Sequence, residues 1–159
     1  MEISARIRIL AGIHTGSVYY FEEEQLSSPE PHYFVVLNKN PRTEEILILV
    51  CASSQVEKRR QMAQILGFSP ETLVVISPSE YTLFTKETVI DCNRAFERTA
   101  QSLIDKLEQG KLKVCTELMP KDIVRRLVCG ILASTQIAED VQKMLSPETE
   151  DGQVIGNSE

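Results

Sequence analysis

The stretch Ile46 to Ala52, ILILVCA, constrains the fold more than any other part of the chain. It is strand-sized, and it has no polar position on either alternation. A run of this kind predicts a central strand buried on both faces, so apolar material must cover each side of its sheet. The segments before it supply neighbours. Ser17 to Glu22 (SVYYFE) follows Gly16 and is aromatic and β-branched, and His32 to Leu37 (HYFVVL) is similar. The polar stretch Asn38 to Glu45 turns the chain into the apolar run. Together these predict a three-stranded antiparallel meander.

A short helix follows, with clear punctuation. Ser54 and Glu57 have the S-x-x-E spacing of a capping box, Met62, Ile65 and Leu66 give an apolar face, and Gly67 sits where a C′ glycine belongs. Leu73 to Ile76 and Thr88 to Cys92 read as two further strands. The last third reads as helical. Asn93 is placed to cap a helix from Arg94 to Gln109, stopped by Gly110. Lys111 to Cys115 fits a short strand. Pro120 suits the first position of a second helix reaching about Leu145. Its apolar stripe, from Ile123 through Leu127 and Ile131 to Val141 and Leu145, must be covered by the sheet or by a partner chain. Ile3 to Leu10 fits a strand or a short helix. The fold class expected is α+β: a small SH3-like β-barrel of about five strands, with a short inserted helix and C-terminal helices. Closure into a barrel would remove exposed strand edges. Residues 1–145 read as one domain, and 146–159 as a disordered acidic tail.

The chain has 159 residues, 42% hydrophobic and 25% charged, which suits a single globular domain. The net charge is −6, and Glu148, Glu150, Asp151 and Glu159 place four negative charges in the last fourteen residues. An acidic total argues against indiscriminate nucleic-acid binding but leaves room for one local basic site. No apolar run is long enough to span a membrane. Arg6 and Arg8 interrupt the N-terminal segment, which does not read as a secretory signal. Cys51, Cys92, Cys115 and Cys129 are widely spaced and read as reduced, buried thiols of a cytoplasmic protein. No metal-ligand spacing is present, and neither cofactor nor metal is expected.

Phosphate-loop, dinucleotide-binding, zinc-protease and nucleophile-elbow motifs are all missing from the sequence. Three local features remain. His32 opens the second strand just after a Pro-rich loop, where an imidazole can serve as general acid or base. Ser53 and Ser54 end the buried strand beside a helix N-terminus, where free amides favour anions. Lys58, Arg59 and Arg60 occupy the early turns of that helix, against its dipole, and a bound phosphate would relieve them. Each feature alone has an ordinary structural explanation. One hairpin joins the strands that carry His32 and Ser53, so the meander can bring them together.

Several segments then resemble the MazF/PemK-type toxin family. Gly16 to Phe21 is similar to its glycine-led first strand. Tyr33 to Asn38 is similar to its second strand, and Leu49 to Ser54 to its third, which ends in a Thr-Ser or Ser-Ser pair. The stretch from Val74 through Phe84 to Cys92 resembles its later strands, and the helix-G-x-L pattern of Leu103 to Leu112, followed by Asp122 to Ser134, resembles its C-terminal region. The resemblance covers roughly residues 16–134. It implies a compact SH3-like barrel, often a homodimer, and a metal-independent endoribonuclease that cleaves single-stranded RNA and is held by an antitoxin protein. It puts the catalytic positions on His32 and Ser53, where the family commonly has an arginine at the first. Ser54, Lys58, Arg59 and Arg60 would bind substrate. The alternative is a catalytically inactive protein of the same fold that binds protein or RNA.

Overall fold

The computed structural model describes residues 3–147. Most of the expected acidic tail, 148–159, lies outside the described residues. The elements in chain order are α1 (Ala5–Gly12), β1 (Val18–Phe21), β2 (His32–Val36), β3 (Ile46–Ser53), α2 (Val56–Leu66), a 3-10 turn (Pro70–Thr72), β4 (Leu73–Ile76), β5 (Thr88–Asp91), β6 (Phe96–Thr99), α3 (Ala100–Glu108), β7 (Leu112–Val114), α4 (Lys121–Ala133) and α5 (Glu139–Leu145). The fold is thus mixed α and β around one antiparallel sheet of seven strands.

The central strand behaves as its composition dictates. Leu47, Ile48, Leu49 and Val50 are all fully buried, and they alternate between two cores. On one face Ile48, Val50 and Ala52 meet Val18, Val35, Ile90 and the inner side of α4 and α5. On the other, Leu47 and Leu49 meet Phe21, Phe34 and Phe96 under α1 and α3. The first half of β3 pairs with β6, and its end pairs with β5. β2 and then β1 follow, with β7 at the far edge.

Closure is where the expectation and the structure part. The strand path runs β4-β5-β3-β2-β1-β7 with β6 beside β3, so the sheet is open and has seven strands instead of about five. Its β4 edge is protected differently. Helix α4 packs along β4 and the 3-10 turn, and the Arg126 guanidinium donates to the Val75 carbonyl at 3.1 Å. Covering an edge answers the same physical problem as closing it.

One open helical reading is resolved and two are corrected. Residues 5–12 are helical, with Ser4 Oγ accepting from the Ile7 amide at 3.2 Å. The expected helix from Arg94 starts only at Ala100, because Phe96 is drawn into the core edge-on against Phe34 and its segment pairs with Ile46–Leu49. Thr99 caps α3 in place of Asn93. Asn93 instead joins the 3-10 turn to the end of α4. Its Nδ2 donates to Thr72 Oγ1 at 2.8 Å, and its Oδ1 accepts from Ser134 Oγ at 2.7 Å. The last long helix breaks after Ala133, and Gln142 Nε2 folds α5 back by donating to the Ile131 and Ser134 carbonyls. The apolar stripe of both pieces is then buried against the sheet, so it needs no partner.

Candidate functional site

The geometry begins with register. β2 pairs antiparallel with β3, Phe34 facing Cys51. Continued two residues toward the strand ends, that register sets His32 across from Ser53. Strand alternation puts both on the face of Phe34 and Cys51, at its outer margin. The loop that delivers His32 is tied down. Glu23, almost fully buried, pairs with Arg98 at 2.6 Å, and Arg94 donates to the Gln25 carbonyl at 2.9 Å.

His32 and Ser53 line a small cavity of about 50 Å³, whose walls include Cys51, Asp91 and Arg94. They also line a groove of about 460 Å³ walled by Tyr20, Tyr33, Phe84, Lys58 and Lys86. Three side chains are common to both spaces: His32, Ser53 and Arg59.

The bonds at these residues define what each can do. His32 Nδ1 lies 2.9 Å from the Glu30 carbonyl oxygen. A carbonyl only accepts, so Nδ1 carries a proton, and in the neutral imidazole the lone pair then lies on Nε2. Ser53 Oγ accepts from the Gln55 amide at 3.1 Å. Its hydroxyl proton is therefore free to donate elsewhere. The expected division of labour between the serines is reversed: Ser54 does not cap α2, and no capping box with Glu57 forms. Gln55 is the N-cap residue and makes no side-chain cap bond. Ser53 makes the turn, and Ser54 lines the groove. Gly67 does end α2, in the left-handed conformation at φ 75°.

The basic triplet divides as well. Lys58 and Arg59 line the groove. Arg60 is absent from its walls and pairs with Glu57 at 2.8 Å on the solvent side. Among the described residues, Lys58, Arg59 and Lys86 form no ion pair. Glu30 also lines the groove.

Sequence reasoning missed the aromatic wall. Tyr20 and Tyr33 are cross-strand partners with ring centroids 4.5 Å apart, and Phe84 lies 5.6 Å from Tyr33. Burial, with Cys115 and Tyr20 nearby, raises the Tyr33 pKa. The signal was present: alternate residues of SVYYFE and HYFVVL must share a face once the strands pair. Lys86, Asp91 and Arg94 were also missed, because they arrive from β5 and the turns flanking it, pairings that local sequence does not encode.

Cys51 adjoins the site but is not poised to react. Burial pushes its thiol up to about 12, although Arg59 and Arg94 pull the other way. Burial pushes Cys92 up to about 12 as well. All four cysteines are free; Cys92 is buried, Cys51 and Cys115 are half-buried and Cys129 is exposed, which corrects the expectation of four buried thiols. Iodoacetamide at pH 8 is expected to label Cys129 first, with Cys51 and Cys92 protected until the chain unfolds, since only thiolate reacts. Peptide mapping of the alkylated native protein checks this. Equal early labelling of Cys51 would contradict its burial.

Among the described residues, no three His, Cys, Asp or Glu side chains are grouped to hold a metal ion, and no helix is long and apolar enough to cross a membrane. No family model and no curated protein matches this chain.

Proposed function

We propose that the protein is a metal-independent endoribonuclease that cuts single-stranded RNA, of the MazF/PemK toxin type its sequence resembles. The observation that carries this is the meeting of His32, Ser53 and Arg59 where two cavities join. In the proposed reaction the 2′-hydroxyl of the substrate attacks the adjacent phosphorus. The His32 Nε2 lone pair takes the hydroxyl proton as the new P–O2′ bond forms. The Ser53 hydroxyl donates to a non-bridging oxygen, and the Arg59 guanidinium balances charge building on the phosphate. The P–O5′ bond breaks, and the departing oxygen takes a proton from water. The products are a 2′,3′-cyclic phosphate and a 5′-hydroxyl end. Lys58 and Lys86 would hold flanking phosphates, and Tyr20 and Tyr33, backed by the buried Phe84, offer bases a stacking surface.

On this reading the open sheet is a relative of the SH3-like barrel, with β3 shared between its two halves. The pairing of β3 first with β6 and then with β5 supports it. An antitoxin segment would cover the groove. Helix α2 supports that part of the proposal: Met62, Ile65 and Leu66 are 47%, 79% and 56% exposed, on the same helix as the groove cations Lys58 and Arg59.

The test is incubation of the purified protein with single-stranded RNA in EDTA. Cleavage that leaves cyclic phosphate ends, and that stops when the 2′-hydroxyl is replaced by hydrogen, is the expected result. Binding without cleavage by well-folded protein would turn the groove into an RNA-binding module. Neither binding nor cleavage across varied RNAs would overturn the proposal.

A further inference from the structure

We infer that the RNA path continues past the groove, over Tyr20, to the edge strand β7, where Lys113 and Lys111 hold phosphates. This rests on the ribonuclease reading and extends it, because it sets a substrate longer than the chemistry alone requires.

The argument starts from one row of side chains. Tyr20 pairs with Tyr33 on one side and with Lys113 on the other. Paired residues share a face, so Lys113, Tyr20 and Tyr33 form a line across three strands. Tyr20 and Pro31 line both the main groove and a second groove of about 390 Å³, and Lys111 and Lys113 line the second. The two grooves therefore adjoin at Tyr20. Strand spacing makes the distance from β3 to β7 roughly 14 Å, too far for the two nucleotides around a scissile bond to fill alone.

Charge points the same way. Lys111 and Lys113 are exposed, and among the described residues neither has an ion pair. They join the unpaired Lys58 and Lys86 in one track, on a chain of net charge −6. Glu22 also lines the second groove, and Lys111 borders a neighbouring depression walled by Glu22, Glu23 and Glu24. Lys113 is thus the stronger phosphate contact of the two. Between the cation groups the track is aromatic, the combination that holds single strands by backbone charge and base stacking.

The experiment measures binding of a fluorescent oligouridylate, made uncleavable by 2′-deoxy substitution, against salt between about 50 and 200 mM. The parent is compared with the Lys111→Ala, Lys113→Ala double variant and with Tyr20→Leu. The double variant is expected to bind a long oligomer about tenfold more weakly, with the salt slope flattened by about 0.7 for each phosphate that the lysines no longer neutralise. The weakening is expected to vanish for a dinucleotide. Tyr20→Leu is expected to weaken binding by roughly tenfold with the slope retained, because it removes stacking and not charge. An unchanged slope in the double variant, alongside RNA cleavage that His32→Ala abolishes, would overturn the extended path and leave the catalytic reading standing. A parent protein that neither binds nor cuts RNA would overturn both.

Discussion

Replacing His32 with alanine is expected to lower RNA cleavage by about a thousandfold, within the range that a positioned general base contributes, while the protein stays folded and still binds RNA. The imidazole is half-buried and makes a single hydrogen bond, to the Glu30 carbonyl, and it belongs to neither core. Its backbone pairing with Phe21 does not depend on its side chain. Removing that one exposed bond costs on the order of 1 kcal/mol or less. His32→Asn, whose amide nitrogen takes the place of Nδ1, separates proton transfer from hydrogen bonding. It can still bond Glu30, but it cannot take a proton, so it is expected to be as inactive as the alanine variant. Ser53→Ala is expected to lose roughly a hundredfold, the scale of one donor to a developing charge. It also removes the turn bond to Gln55, so circular dichroism of α2 must accompany the kinetics. Near-parent cleavage by both His32 variants would remove His32 from the mechanism and turn attention to Arg59.

How much of this was legible in the sequence depends on how local the determinant was. ILILVCA announced a doubly buried strand because composition alone requires cover on both faces, and both cores are present. The meander put His32 beside Ser53 because one hairpin fixes their register. Distant pairings were not readable. Phe96 looked helical from its neighbours' spacing, but its ring has a slot beside Phe34 that only the folded sheet creates. Ser54 and Glu57 had the right spacing for a capping box, but Ser53 takes the turn first and moves the helix start by one residue. The basic triplet was readable as charge and not as direction. Successive helical residues point about 100° apart, so Lys58 and Arg59 can face the groove while Arg60 turns outward to Glu57. The open edge at β4 depends on a helix some fifty residues away, through Arg126 and Val75.

Gly130→Ala is expected to destabilise the fold by about 2 kcal/mol, even though alanine is the better helix former. The two effects oppose each other. Within α4, replacing glycine with alanine gains about 1 kcal/mol of helix propensity. Against that, a β-carbon at 130 would lie 2.8 Å from Cys92 Sγ, 2.9 Å from the Glu71 carbonyl oxygen and 3.0 Å from Cys92 Cβ. Overpacking of this kind costs about 1–3 kcal/mol or more, and the neighbours decide how much. A long, flexible side chain could swing away, but these atoms cannot. The Glu71 carbonyl belongs to the 3-10 turn, which is pinned by the Thr72 amide bond to Ser69 and by the Cys92 amide bond to Thr72 at 2.7 Å. The helix must therefore lift from the sheet. Urea denaturation should show a lower midpoint with little change in slope. Cys92→Ala in the same chain should recover only part of the stability, because the Glu71 carbonyl remains. The lift should also reach the site. Ser134, just past the end of α4, holds Asn93, and Asn93 holds Asp91, which lines the cavity beside His32 and Ser53. A Gly130→Ala protein more stable than the parent would mean that α4 rides higher over the 3-10 turn than these distances require. The coupling from helix to cavity through Asn93 would then lose its basis.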